Sequence, residues 1–221
     1  MDSSTFEKAE KELLKAMRHN MNGVVVSTVK KMTSQTIPSF GVSIPALKKI
    51  ATRYEGDHPL ALYLFDKNIR ELKLTAIFID APEQVTASQM EKWGEGFKTL
   101  EIAENAASSL FWKSPDAFAI ACKWLQSDDI ILLKAALLIA GRIVTNENSS
   151  YTDTLLNLIT PLLRYDNDII SGGIIFALER IARTDKMFRD KIVSLLKQED
   201  IAGYPTAKEV RETVFWDSET Y

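Results

Sequence analysis

The chain has very few of the side chains that most often bind metals or act as nucleophiles. Its 221 residues include one cysteine, Cys122, and two histidines, His19 and His58. A single cysteine cannot form an internal disulfide, which is typical of proteins from a reducing compartment. No two of these three residues have HxxxH or CxxC spacing, and both histidines are expected at exposed positions. The sequence therefore predicts no metal site, no cofactor and no histidine-based catalytic triad.

Long apolar runs and an excess of one charge are also missing. The longest strongly apolar run, Ala135 to Ala140, is bounded by Lys134 and Arg142, and no apolar segment follows Met1. We therefore expect no membrane association and a cytoplasmic location. Lys and Arg total 27 against 30 Asp and Glu. The net charge of −3 gives no whole-molecule attraction to nucleic acid, so any basic surface must be local.

Glycine-rich loops that bind phosphate are absent from the sequence. It contains neither GxxxxGK[ST] nor GxGxxG, and Gly94 and Gly96 form an isolated GxG. Nucleotide binding by a loop of this kind is therefore not supported. Carboxylates remain as the side chains that could carry chemistry.

The sequence does contain an alanine-rich apolar stretch with two acids, Phe97–Pro115. Its apolar residues have the i, i+3, i+4, i+7 spacing of a helix with one buried face; they are Leu100, Ile102, Ala103, Ala106, Ala107, Leu110 and Phe111. Glu104 follows Leu100 by four residues, so the two side chains share a direction, and Glu101 is rotated by about 60° from Glu104. Such a carboxylate either pairs with Lys98, Lys113 or solvent, which is the commoner case, or takes part in catalysis.

A pattern of a short apolar helix, a polar turn and a longer apolar helix recurs along the chain. It appears as ALYLFDKN-IRELKLTAIFI, AIACKWLQSDD-IILLKAALLIAG and LLNLITPLLRYDND-IISGGIIFALERIA, with the second helices starting at Ile69, Ile130 and Ile169. Residues 24–35 and 208–216 are predicted as further helices, and strand signals are weak. The period of about 30 to 40 residues predicts one all-α domain over residues 1–221, a superhelical solenoid of antiparallel helix pairs.

Basic residues recur on the predicted second helices or at their ends; they are Lys30, Lys31, Lys48, Lys49, Arg70, Lys73 and Lys134. Lys73 and Lys134 each follow the first isoleucine of their helix by four residues. Several of these cations could share one concave surface and neutralise phosphates, although a solvated charged face is more common. Gly172 and Gly173 lie inside a helix, which predicts close approach by another helix or by a ligand backbone.

Several segments within residues 28–184 resemble the AlkD family of DNA alkylation-repair glycosylases, which are built from helical repeats related to HEAT repeats. The matching segments are FGVSIPALKKIA, FDKNIRELKLTAIFI, LQSDDIILLKAALL and IISGGIIFALERIARTDK. The resemblance implies a HEAT-like domain with a concave cleft for duplex DNA that contains alkylated bases. We also expect the protein to act as a monomer.

The resemblance also assigns roles to individual residues. The catalytic segment of the family, a tryptophan followed four residues later by an aspartate, falls on Leu100 and Glu104. Glu104 would then stabilise the positive charge that builds on the deoxyribose as an alkylated base leaves. Lys134 stands for an arginine that grips the DNA backbone, and Phe176 for a tryptophan that lines the cleft. We expect Glu101, Arg70 and Lys73 in the same cleft.

Two functions are consistent with these observations. The first is a DNA-binding repair protein that excises N-alkylated purines by hydrolysis of the glycosidic bond, with Glu104 as the electrostatic catalyst. The second is a helical-repeat scaffold without catalytic activity that binds a protein or a nucleic-acid structure through the same face. Salt-dependent binding to duplex DNA distinguishes a DNA-binding protein from a scaffold for proteins.

Overall fold

The structure, a computed structural model, describes residues 3–23, 37–144 and 149–215. Every regular element within these ranges is a helix, so the prediction of an all-α fold is confirmed. The chain divides into two compact units, Met1–Pro115 and Asp116–Tyr221, which we call unit 1 and unit 2 and describe separately. The single domain over residues 1–221 stays a prediction.

The described part of unit 1 contains six α-helices: α1 Ser3–Arg18, α2 Ile44–Ala51, α3 His58–Phe65, α4 Arg70–Ile79, α5 Ala87–Glu95 and α6 Leu100–Asn105. Side-chain caps fix three of their starts, because Asp57, Thr86 and Thr99 each accept a hydrogen bond from the first turn of the following helix. Proline lies in the first turn of α2 and of α3, where its missing N–H costs nothing. The helix predicted over residues 24–35 lies outside the described residues.

Helix α4 is the centre of unit 1. It packs against α2, α3 and α6, and all of its side chains except that of Phe78 are buried. A short turn joins α3 to α4, and the two helices pack against each other as an antiparallel pair. The second helices α2, α4 and α6 lie side by side, as the repeat pattern predicts, because α4 packs against both of the others.

The predicted helix within Phe97–Pro115 is present, but it changes geometry along its length. After the α-helical turns of α6, residues Ala106–Leu110 form a π-helical turn and Phe111–Lys113 a 3₁₀ turn. The predicted apolar face is buried from Ile102 to Phe111, whereas Leu100 is only half-buried. The π turn holds one residue more than an α turn, so it rotates the side chains that follow it.

Unit 2 contains the remaining described helices: α7 Ala117–Trp124, α8 Ile130–Ile143, α9 Ser149–Ile159, α10 Asp168–Ala182, α11 Lys186–Leu196, α12 Glu199–Ala202 and α13 Pro205–Phe215. Asp129, Asn167 and Asp185 cap α8, α10 and α11 with their side chains. Helix α10 packs between α8 and α13, so the second helices again lie side by side. The helix predicted over residues 208–216 is present as part of α13 up to Phe215.

Glycines allow α8 and α10 to pack closely. A Cβ atom on Gly173 would lie 3.0 Å from Leu137 of α8, and a Cβ atom on Gly141 would lie 2.5 Å from the ring of Phe176. The predicted close approach near Gly172 and Gly173 is therefore made by a neighbouring helix. No helix in the described ranges is long and apolar enough to cross a bilayer.

Candidate functional site

Glu101 forms an ion pair with Arg70 inside unit 1. Both of its carboxylate oxygens accept from the guanidinium, from Nε and Nη2, at 2.6 Å each. Arg70 is 1% exposed, and the side chain of Glu101 is 32% exposed. Burial alone would lower the pKa of Arg70, but the carboxylates of Glu101 and Glu71 outweigh it and raise this pKa. The pair therefore joins α4 to α6.

The same guanidinium also binds Glu71, the next residue along α4. Arg70 Nη1 donates to Glu71 Oε1 at 2.8 Å and to the carbonyl of Val42 at 3.0 Å. The Glu71 carboxylate also accepts from the hydroxyl of Ser39 and from the backbone N–H groups of Phe40, Gly41 and Val42. This buried carboxylate anchors the turn before α2, in which Gly41 has the positive φ of 71° that favours glycine.

Lys73 also has an internal position. It is 6% exposed, its Nζ donates to the carbonyl of Phe65 at 2.6 Å, and this atom lies 4.1 Å from the centroid of the Phe65 ring. Burial lowers its pKa, and the nearby charges of Lys98 and Lys92 act in the same direction against that of Asp66. Arg70 and Lys73 thus make internal contacts, and we do not place them on a DNA-binding surface.

Glu104 lies on the last turn of α6 and is half-buried. Leu100, one turn earlier, is also half-buried, so the two side chains lie at the edge of the packed face. The side-chain Nδ2 of Asn105, the next residue, donates to the carbonyl of Glu101 at 2.8 Å at the end of this turn. Glu101 is bound by Arg70. Glu104 therefore stays the candidate catalyst of the two acids in this stretch.

A groove of about 580 Å³ lies in unit 1, beside the C-terminal ends of α2 and α4 and the π turn. We call it the unit 1 groove, and it is lined by Lys48, Thr52, Glu55, Gly56, Ile77, Phe78, Asp80, Ala81, Pro82, Glu83, Ser108, Ser109, Leu110, Trp112 and Lys113. Helices α2 and α4 and the π turn each contribute to it. Ser108, in the π turn that continues α6, follows Glu104 by four residues, so the groove begins about one turn beyond the candidate acid.

Two lysines of the unit 1 groove lie against aromatic rings. Lys48 Nζ lies 5.2 Å from the centroid of the Phe78 ring, and Lys113 Nζ lies 5.7 Å from that of Trp112. The indole N–H of Trp112 donates to the carbonyl of Ser108, which fixes the ring against the π turn. Glu55 and Glu83 also line the groove, so it combines cations, acids and apolar ring faces.

Asp80 lines the unit 1 groove, but its carboxylate is used within the protein. It accepts from Gln89 Nε2 at 2.6 Å and lies 2.6 Å from His58 Nδ1. Burial raises the pKa of Asp80, and these hydrogen bonds oppose the shift. His58 was expected at an exposed position, but its side chain is only 17% exposed because it packs on Asp80. The described residues contain no cluster of three or more His, Cys, Asp or Glu side chains that could hold a metal ion.

Two further predicted site residues lie in unit 2. Lys134 is half-buried on α8, and its Nζ lies 3.6 Å from the position that a Cβ atom of Gly172 would occupy. Phe176 is half-buried on α10, one turn after Gly172. Arg142 and Arg180 lie against its ring. The single cleft that would unite these residues with Glu104 stays a prediction.

The sequence reasoning missed several residues of these surfaces. Phe78 and Trp112 look like ordinary core positions in a helical pattern, and Ser108 and Ser109 carry no motif. Arg142 and Arg180 could have been predicted, because each lies in the last turn of a predicted second helix, where the helix dipole stabilises cations. Their positions next to the same ring depend on how α8 packs against α10.

Two curated proteins match part of the chain. The uncharacterized protein Lin0241 of Listeria innocua is 33% identical and the uncharacterized protein Lmo0209 of Listeria monocytogenes 32% identical, each over 92 residues. Each match covers 40% of this chain and 41% of the relative, so it spans about two fifths of the length of each protein.

A solved structure and a protein family match nearly the whole chain. The structure is described as a new family of proteins related to the HEAT-like repeat DNA glycosylases with affinity for branched DNA structures. It superposes with a TM-score of 0.75 at 16% identity, covering 95% of this chain and 94% of the other, and therefore shows a HEAT-like repeat fold. The family described as DNA alkylation repair enzyme matches residues 7–199. Because this match covers most of the sequence, the chain belongs to the DNA alkylation repair family.

Proposed function

We propose that this protein binds DNA along its second-helix faces and hydrolyses the glycosidic bond of N-alkylated purines, with Glu104 as the catalytic carboxylate. Membership of the DNA alkylation repair family over residues 7–199 is the observation that carries this proposal. The unit 1 groove adds two lysine–aromatic contacts that suit a phosphate and a flat base, although three carboxylates also line it. A cytoplasmic location and a monomeric state are parts of the same proposal.

The reaction requires little more than electrostatic stabilisation. The bond between C1′ and the purine nitrogen breaks, and its electron pair leaves with the base, which is already cationic when alkylated. Positive charge then develops on the deoxyribose, where an ionised Glu104 stabilises it. A water oxygen forms the new bond to C1′ and releases its proton to solvent. Glu104 is half-buried, so its charge is less screened than that of a fully exposed acid.

Base release from a methylated duplex tests this reaction. Purified protein is incubated with a duplex that carries one N7-methylguanine, and the free base is measured by chromatography. We expect release by the wild type and a loss of at least about 100-fold in Glu104→Gln, the usual cost of removing one electrostatic stabiliser. Glu95→Gln is the matched control, because Glu95 is an exposed acid at the end of α5. Release that is absent in the wild type, or unchanged in Glu104→Gln, would contradict the catalytic role.

The variant Leu100→Trp tests the same site, because we expect it to increase the rate of base release. Leucine offers no π face to a developing sugar cation, whereas tryptophan does, and Leu100 is half-buried at the edge of the packed face. We expect faster base release than in the wild type at unchanged DNA affinity. An active wild type that is not accelerated by this substitution would mean that position 100 does not face the sugar.

Selective binding of branched DNA without base release is the second candidate function. The solved structure with a TM-score of 0.75 is described as having affinity for branched DNA, and this chain departs from the catalytic pattern of the AlkD family at Leu100, Glu104, Lys134 and Phe176. A four-way junction and a linear duplex of the same sequence distinguish the candidates. Tighter binding of the junction by about tenfold or more, with no base released, would favour this second function.

A further inference from the structure

Two arginines of unit 2 share one aromatic ring. The guanidinium carbon of Arg142, in the last turn of α8, lies 4.8 Å from the centroid of the Phe176 ring. That of Arg180, in the last turn of α10, lies 5.5 Å from the same centroid. We call these three residues the arginine pair site. Phe176 and Arg142 are half-buried and Arg180 is exposed, so solvent reaches the site.

The ring that carries the two guanidiniums has a fixed place. Gly141 has no side chain, and a Cβ atom there would lie 2.5 Å from Cε1 and 2.7 Å from Cδ1 of Phe176. The ring therefore rests directly on the backbone of α8. A rigid platform of this kind holds two cations close to each other before any ligand arrives, which lowers the ordering cost of binding.

The arginine pair site has an excess of positive charge. In the part of the chain that the structure describes, neither arginine forms an ion pair with a carboxylate; Arg142 donates to the carbonyl of Leu138 at 2.9 Å. Glu179, beside Arg180 in sequence, is bound to Arg183 at 2.6 Å. Burial lowers the pKa of Arg142, and the charge of Arg180 adds to this shift. A bound anion would remove the repulsion between the two guanidiniums.

We propose that Arg142 and Arg180 bind a phosphate of a DNA backbone, with Phe176 as the platform that positions them. This inference rests on the proposed function and adds a phosphate site within unit 2. Guanidinium groups present a planar fork of N–H donors that matches two phosphate oxygens, and two of them can hold one phosphate from both sides.

A ligand with repeated charges fits better than a single carboxylate, because another cation lies in line with the site. Lys134, Leu138 and Arg142 follow one another at intervals of four on α8, as do Gly172, Phe176 and Arg180 on α10. Lys134 Nζ lies beside Gly172, so it is on the same side of the helix pair as the ring of Phe176. Eight residues span about 12 Å of helix, which covers several phosphates at about 3.4 Å of axis per charge on one strand.

A pair of double variants with equal charge change tests the site. Arg142→Gln/Arg180→Gln removes the two site cations, whereas Lys186→Gln/Lys191→Gln removes two exposed cations of α11 that form ion pairs with Asp190 and Asp153. Binding to a fluorescent 24-base-pair duplex is followed by anisotropy over a range of NaCl concentrations. We expect the first variant to lose about 10- to 100-fold in affinity and the control less than about twofold. The slope of log K against log[NaCl] should also become shallower by about 0.9, equivalent to one phosphate contact.

The outcomes separate this site from the proposed function. If the wild type binds the duplex and the site variant binds it with equal affinity and slope, the phosphate site is refuted and the proposed function stands. If both double variants lose affinity equally, the effect is one of net charge, and the site is again refuted. If the wild type binds neither duplex nor junction at 50 mM NaCl, the proposed function fails together with the site. The single variant Arg180→Gln, at an exposed position, repeats the test should the double variant not fold.

Discussion

Unit 1 and unit 2 use arginine on their second helices in opposite ways. Arg70 of α4 is 1% exposed and bound by the carboxylates of Glu71 and Glu101, so its charge is neutralised within the protein. Arg142 and Arg180 of unit 2 lie beside a ring at the surface, and in the described residues no carboxylate pairs with them. The position of a cation on a second helix therefore does not determine whether it stabilises the fold or is available to a ligand. This depends on whether carboxylates lie next to it.

The largest expected effect comes from removing the buried cation. Arg70→Met leaves the carboxylate of Glu71 buried without its cation, so we expect a loss of about 3 to 5 kcal/mol in the free energy of unfolding. Arg142→Met, the same change at a half-exposed cation that pairs with no carboxylate among the described residues, should cost less than about 1 kcal/mol. Urea unfolding followed by circular dichroism measures both. Equal losses would break the contrast between the two arginines.

A methyl group on Gly141 should disturb the arginine pair site through its platform. The new Cβ atom would lie 2.5 Å from the ring of Phe176 and 3.2 Å from the backbone of Ala177, so the ring or the helix must move. We expect Gly141→Ala to lower the free energy of unfolding by about 1 to 3 kcal/mol. The same change should weaken duplex binding, because the ring no longer holds the two guanidiniums. Unchanged stability would mean that the ring can swing aside without cost.

Gly172→Ala is the matched substitution with the opposite expected sign. Among the described residues, a Cβ atom there would meet only Lys134 Nζ at 3.6 Å, an ordinary contact, and Gly172 is exposed within α10. Alanine is the better helix former by up to about 1 kcal/mol, so we expect a small gain in stability and a higher Tm. A loss of stability would show that the backbone at Gly172 is approached more closely than the structure indicates.

The smallest expected effect is a pH dependence from Lys73 in unit 1. Burial lowers its pKa below 10.5 in the folded state, so the unfolded chain binds more protons at the pH values between the two pKa values. The stability of the wild type relative to Lys73→Met should therefore rise as the pH increases through the lowered pKa toward 10.5. Urea unfolding of both proteins from pH 7 to pH 10 measures this difference. Parallel stability curves would show that the ammonium group is solvated after all.

Much of the fold follows from the sequence, because helix position depends on local apolar spacing. The second helices begin within one residue of Ile69, Ile130 and Ile169, and the helix after Phe97 buries the predicted face. The π turn was not predictable from this spacing, because an i→i+5 hydrogen bond depends on what packs around the helix. Apolar periodicity indicates which side of a helix is buried. It does not indicate where a turn contains one extra residue, as the π turn does.

The candidate site is less predictable, because its partners lie far apart in sequence. Sequence spacing suggests a neighbouring lysine as the partner of Glu101, whereas the structure pairs it with Arg70, 31 residues away. Lys73 and Lys134 have the same register in their repeats, but Lys73 points into the interior beside Phe65. The repeat register determines the position of a residue on its helix, but it does not determine which residues surround it. The roles of Glu104, Lys134 and Phe176 stay predictions until DNA binding and base release are measured.

Because of the π turn at Ala106–Leu110, the side chains that line the unit 1 groove depend on how many residues this turn contains. Each side chain beyond it is displaced by about 100° from the place that an uninterrupted α-helix would give it. Deleting one residue within the turn would restore the regular hydrogen-bond ladder and swing Trp112 and Lys113 away from the groove, with almost no change in composition. Insertions and deletions in this short segment are therefore a route by which relatives of similar sequence could come to accept different ligands.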